Sequence, residues 1–184
     1  MEKTTTLPHI RKRTSVARSK LFRIEQLELT FSNGVERVYE RMEGSGRGSV
    51  MIVPMLDENT MLLVREYCAG THSYELGFPK GLIDEGEVAE YAANRELKEE
   101  IGYGSHSLTL LKSVAMAPTF FSGTMNIYLA KGLYSEKLEG DEPEPLEIVP
   151  WKVDNYLSLI ARDDFKEARS ITALMLMLDQ LRGN

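Results

Sequence analysis

The sequence has little of the chemistry from which many sites are built. Its single cysteine, Cys68, rules out an intramolecular disulfide and any multi-cysteine metal centre, and it suits a reducing compartment. No base is adjacent to it, so it reads as a small hydrophobe beside Tyr67 and not as a nucleophile. The three histidines, His9, His72 and His106, fall in expected loops without ligand spacing. Basic residues are in the minority, 22 Lys and Arg against 28 Asp and Glu, for a formal charge of −6. That balance excludes a general nucleic-acid surface, which needs clustered cations, and a polyanionic substrate would have to be met through a metal. No apolar run approaches the roughly 18 residues of a membrane span, and the first twenty residues lack the apolar core of a signal peptide. The expectation is a cytoplasmic protein with no membrane and no nucleic-acid partner.

What is present suits one compact globular unit, because 184 residues are enough for a sizeable core and too few for two typical domains. Residues 1–20 carry "RKR" and "ARSK" without a hydrophobic period and read as a flexible arm. Residues 21–48 hold two alternating segments around Asn33-Gly34, which predicts an N-terminal β-hairpin. The remainder, 49–184, opens with a second hairpin, "SVMIVPML" and "TMLLVREY", whose apolar runs predict central strands buried on both faces. A short strand is expected at "HSYELGF", two more at "LTLLKSVAMA" and "MNIYLAKGL", and a last one at "IVPWKV". Two helical segments are expected after Asp154, the second with methionines and leucines at core spacing. Strands, one central helix, strands and C-terminal helices make an α/β layered domain with a mixed sheet.

The central helix carries the chemistry. At 100° per residue, Ala89, Ala93, Leu97 and Ile101 fall on an arc of about 120°, and Glu96, Glu99 and Glu100 on an adjoining arc of about 100°. Three carboxylates bordering the buried side of a helix repel one another, and a divalent cation would turn that cost into binding energy. With oxygen ligands alone, the fitting ions are Mg²⁺ or Mn²⁺. The alternative is a solvated acidic face with Arg95 paired to Glu99.

The spacing from Gly81 through Glu87 to Arg95, Glu96, Leu97, Glu99, Glu100 and Gly102 resembles the signature of the Nudix hydrolase family. Tyr103 departs from the aliphatic residue usual at the final position. The resemblance implies a mixed β-sheet sandwiched between helices (α/β/α), here with an extra N-terminal β-hairpin, and metal-dependent hydrolysis of a nucleoside diphosphate linked to another moiety. It also implies that Glu96, Glu99 and Glu100 bind the metal together with the backbone carbonyl of Lys80. Glu87 and Arg95 would orient those carboxylates, and Gly81 and Gly102 would permit the bracketing turns.

Outside that signature, "VREY", "SYELGFPKG", "AMAPTFFSGTMNIYLA" and "LEGDEPEPLE" are similar to the ADP-ribose pyrophosphatase-like branch of the family that acts on ADP compounds. The similarity implies small-molecule nucleotide substrates such as ADP-ribose, NADH and short diadenosine polyphosphates, with release of AMP. It places the general base in the loop "GDEPEPLE", at Glu142 or Glu144, with Glu99 as the further choice. Arg65 is expected to reach substrate phosphate, or else to pair with Glu66 or Glu75. A homodimer formed through residues 21–48 is also implied. Two readings stay open beside this one: a nucleotide-sugar pyrophosphatase of the GDP-mannose type, and a non-catalytic nucleotide-binding module.

Overall fold

A computed structural model of the chain describes residues 6–44 and 46–183. Residues 1–5 of the expected arm, Ser45 of the first loop and the terminal Asn184 lie outside the described residues. The chain divides into two compact units, residues 1–46 with 115–123, and residues 47–114 with 124–184.

The first unit is a three-stranded antiparallel sheet in the order β1-β2-β3, with β1 at His9–Arg18, β2 at Arg23–Thr30 and β3 at Glu36–Glu43. The expected hairpin is present as β2 and β3, turned at Gly34 with φ of 81° while Asn33 Oδ1 accepts from Val35 N–H at 3.1 Å. The arm requires correction, because residues 9–18 pair along the whole of β2. Nearly every side chain of β1 is exposed, so its formation by backbone pairing leaves no hydrophobic period to read. The unit also takes in the loop at 115–123, which hydrogen-bonds to β3 through Met42 and Gly44, so the expected boundary at residue 48 is not a single cut.

The second unit is a mixed sheet in the order β10-β5-β4-β9-β8, with β6 on β5 and β7 on β4. Its strands are β4 (Ser49–Asp57), β5 (Thr60–Cys68), β6 (Ser73–Gly77), β7 (Lys80–Leu82), β8 (Tyr103–Ala115), β9 (Thr124–Ser135) and β10 (Glu147–Lys152). β4 and β9 are parallel, whereas β5 runs antiparallel to β4, β6 and β10. The expected central pair is buried as its apolar runs predict. Alternation along β4 sends Val50 and Ile52 into one core, with Leu62, Val64, Tyr128 and Ala130. Helix α1 (Ala89–Glu100) covers that face with Ala92, Ala93 and Leu97. The intervening residues of these strands point the other way, where α2 (Tyr156–Ile160) and α3 (Ala168–Leu181) bury Leu159, Ala173, Leu174 and Met177. The sheet is therefore layered between helices. No described helix is long and apolar enough to cross a membrane.

Candidate active site

The short strand β7 and helix α1 set the geometry of the acidic cluster. β7 pairs with β4, Lys80 opposite Met51 and Gly81 opposite Val50, which brings the chain past the helix before it turns. Gly81 lies so close to Glu96 that a Cβ there would meet the carboxylate at 2.0 to 2.3 Å. At the far end, Gly102 takes a left-handed φ of 71°, closing α1 after Ile101 donates to the Leu97 carbonyl. Both signature glycines thus answer a steric or conformational need.

Arg95 organises the carboxylates. Its Nε and Nη2 donate to the two oxygens of Glu87 at 3.1 and 3.0 Å, and Nη2 also donates to the Leu82 carbonyl at 2.9 Å. Its Nη1 donates to Glu96 Oε1 and Glu99 Oε2, both at 2.8 Å. Glu87 is fixed further by the Asp84 N–H at 3.0 Å, and hydrogen bonding from Arg95 holds its carboxyl below the usual range. The Arg95–Glu99 pair of the alternative reading and the Glu87–Arg95 pair implied by the resemblance therefore exist together.

Glu96 and Glu100 are buried and Glu99 is half-buried. Desolvation pushes the Glu96 carboxyl up to about 7, against the pull of Arg95 and with repulsion from Glu99 and Glu142 adding to the rise. Desolvation likewise pushes Glu100 up to about 8. Glu100 Oε1 accepts from the Lys80 N–H at 3.3 Å, while its Oε2 is buried without a hydrogen-bond partner. Among the described residues no three His, Cys, Asp or Glu side chains converge as a ready metal cage. Instead the guanidinium of Arg95 bridges Glu96 and Glu99. An orphaned carboxylate oxygen, two carboxylates already sharing one cationic group and an all-oxygen donor set fit a hard divalent ion.

The loop between β9 and β10 runs beside this helix. Glu136 N–H donates to the Gly102 carbonyl at 3.1 Å and Leu138 N–H to the Lys98 carbonyl at 3.2 Å. A Cβ on Gly140 would meet Glu142 Oε2 at 2.2 Å and Glu99 Cβ at 3.5 Å, so Glu142 is brought towards the cluster. Glu144 is turned elsewhere, accepting from the Tyr74 hydroxyl at 2.5 Å. Both glutamates line a cavity of about 480 Å³ together with Arg65, Tyr67 and Tyr74. The alternative pairing of Arg65 with Glu66 or Glu75 is replaced, since its Nε donates to Glu147 at 2.8 Å and its Nη1 to Asp164 at 2.7 Å. Glu66 pairs with the Lys80 ammonium instead, and Glu75 with Lys166. Two histidines leave the expected loops, His9 beginning β1 and His106 lying in β8 with its ring 4.5 Å from that of Tyr134, whereas His72 sits in the turn between β5 and β6 as expected, its Nδ1 2.8 Å from the Tyr67 hydroxyl; all three are exposed. Tyr74, which no spacing singled out, is a cavity-lining partner of Glu144 that sequence reading missed.

Comparison with known proteins agrees with this geometry. The chain is 54% identical over 183 residues to the ADP compounds hydrolase NudE of Escherichia coli K12, covering 100% of this chain and 98% of that protein. A crystal structure of ADP compounds hydrolase superimposes with a TM-score of 0.93 at 54% identity, over 98% of this chain and 97% of the other. An ADP-ribose pyrophosphatase of Bacillus subtilis is 28% identical over 132 residues, 71% of each chain. Residues 8–41 match the NudE-type Nudix hydrolase N-terminal domain, which accounts for β1 as well as the hairpin, and residues 46–174 match the NUDIX domain. With that domain spanning most of its length, the chain belongs to the Nudix hydrolase family and is a Nudix pyrophosphohydrolase.

Proposed function

We propose that the protein hydrolyses the pyrophosphate bond of ADP-containing compounds, such as ADP-ribose, NADH and short diadenosine polyphosphates, with release of AMP. The observation that carries this reading is the bridging of Glu96 and Glu99 by one nitrogen of Arg95, beside the unpartnered oxygen of Glu100. Full-length similarity to an enzyme named for ADP compounds supports the substrate class. All carboxylates of the signature are present, which disfavours the non-catalytic module.

We assign Mg²⁺, or Mn²⁺ in its place, to Glu96, Glu99 and Glu100 with the Lys80 backbone. Bound there, the ion supplies neutralisation of pyrophosphate charge and lowers the pKa of water. The chain's own residues do the rest. Arg95, anchored by Glu87 and the Leu82 carbonyl, keeps two of the three carboxylates aligned. Glu142, which lies with Glu99 against Gly140, accepts the proton of the attacking water. Tyr67 and Tyr74 line the neighbouring cavity. We place the enzyme in the cytoplasm, on its single unpaired cysteine, and propose that it acts as a homodimer.

The test measures AMP formed from ADP-ribose, NADH and diadenosine triphosphate, with GDP-mannose as competitor. Activity is expected with magnesium and is lost in EDTA or on joint Glu99→Gln and Glu100→Gln substitution. Turnover that survives either treatment places the chemistry elsewhere. Glu142→Gln is expected to lower kcat by about 10² to 10⁴ with little change in KM.

A further inference from the structure

Glu142 faces the acidic cluster from a long loop, and the question is what holds that loop in place. Its near end is tied to α1 by the backbone bond of Leu138 to Lys98, and to the residues just after the helix by that of Glu136 to Gly102. Beyond Gly140, the bond from Tyr74 to Glu144 ties it across 70 residues of sequence to strand β6. Glu142 lies between these two ties. Pro143 and Pro145 flank Glu144, and their fixed φ angles reduce the slack by which Glu142 could move while Glu144 stays put.

The tyrosine is itself braced. β6 pairs with β5 in a register that sets Tyr74 opposite Tyr67, and the two rings meet edge to face with centroids 5.8 Å apart. Tyr67 is held in turn by His72, whose backbone adopts a φ of 50°, a left-handed conformation that a residue with a Cβ occupies at a cost. His72 thus presents its imidazole to Tyr67, Tyr67 supports the ring of Tyr74, and Tyr74 reaches Glu144 from a sheet strand. A phenol donating to a carboxylate forms a charge-assisted bond, about twice as strong as a neutral one.

We propose that Tyr74 is a positioning residue for hydrolysis: its hydroxyl latches Glu144 and thereby fixes the loop that carries Glu142 towards the cluster. Glu144 on this account acts by accepting a hydrogen bond and not as the base. The inference rests on the functional reading above for the role of Glu142, but the latch itself is a structural element that can be observed without turnover.

Kinetics and hydrogen exchange together test it on the full chain with magnesium. Tyr74→Phe removes one hydroxyl and leaves the ring against Tyr67. It is expected to lower kcat on ADP-ribose by about tenfold, as a small misplacement of a catalytic group does, with KM changed by less than about twofold. Glu144→Ala is expected to cost the same, and the double variant no more than either alone, because both break one bond. Glu144→Gln keeps an acceptor oxygen and is expected to recover most of the activity. In parallel, amide exchange of residues 138–146 is expected to quicken in Tyr74→Phe and Glu144→Ala, while Glu144→Gln stays near the unchanged protein. Equal exchange in all forms overturns the latch, whatever the substrate proves to be. Multiplying losses in the double variant overturn the coupling, and a Glu144→Gln protein as inactive as Glu144→Ala overturns the assignment by making the charge of Glu144 essential. Quickened exchange without turnover of any ADP compound by the unchanged protein keeps the latch and refutes the substrate reading.

Discussion

A glycine and two glutamates show how narrowly the acidic cluster is set. Gly81 leaves room for the Glu96 carboxylate, and any Cβ in its place would overlap that group. Gly81→Ala is therefore expected to displace Glu96 and lower kcat by about 10²-fold or more, since an ångström of misplacement can cost that much. A kcat within twofold of the unchanged protein would mean that Glu96 can move without consequence. Glu96 and Glu100 also make a prediction about pH. Burial raises their carboxyls from 4.5 to about 7 and about 8. Between the ordinary value and these raised ones, the folded protein without metal holds protons that the unfolded chain has released. Its stability is thus full below the ordinary value and falls as pH rises through the raised ones. A divalent cation requires the ionised carboxylates, so its affinity rises over the same window. The gap in Tm between samples in magnesium and in EDTA is expected to widen from about pH 6 to about pH 8.5. A constant gap would separate the ion from these two groups.

The helix that carries the cluster is held mainly by apolar contact. α1 has no side-chain cap at Val88, and Leu97 is fully buried with Ala92 and Ala93 at its centre. Leu97→Ala is expected to cost about 2 to 5 kcal/mol in urea unfolding. Activity should fall more than the folded fraction does, because Glu96 lies beside Leu97 on the same turn. The helix was legible in the sequence for the same reason: Ala93, Leu97 and Ile101 recur at the helical period, and the repelling glutamates beside them mark the proposed cation site. The apolar runs of β4 and β5 were legible too. β7 was not, because three residues after Pro79 and around Gly81 carry no strand pattern, and only pairing with β4 makes them one. Nor could β1 be read, as its side chains alternate nothing apolar. Arg65 finds Glu147 and Asp164 at separations of 82 and 99 residues, and Tyr74 finds Glu144 at 70, distances that only the folded sheet closes.

At the scale of the whole molecule, the N-terminal sheet and the acidic cluster belong to different units. Three strands need an apolar face or a neighbour to be stable. The middle strand buries Leu27 and pairs its buried Glu25 with Arg41 at 2.9 Å. The outer strand β3 leaves Val38 59% and Tyr39 47% exposed. Adjacent strand residues point to opposite faces, so each face of the sheet keeps a large apolar side chain in solvent. Val16 on β1, 45% exposed, adds to that surface. Apolar groups presented on both sides of a small sheet suit a second copy of this chain, and we propose that the sheet builds a twofold dimer and lines the neighbour's adenosine site. Multi-angle scattering at micromolar concentration is expected to give twice the chain's mass of 20.8 kDa. Val38→Asp, which places a charge on one exposed face of β3, is expected to shift the mass towards the monomer and raise KM for ADP-ribose, since the neighbour would then no longer complete the site. A monomeric mass for the unchanged protein would remove the dimer, and a dimer that survives Val38→Asp with KM unaltered would move the interface off this face.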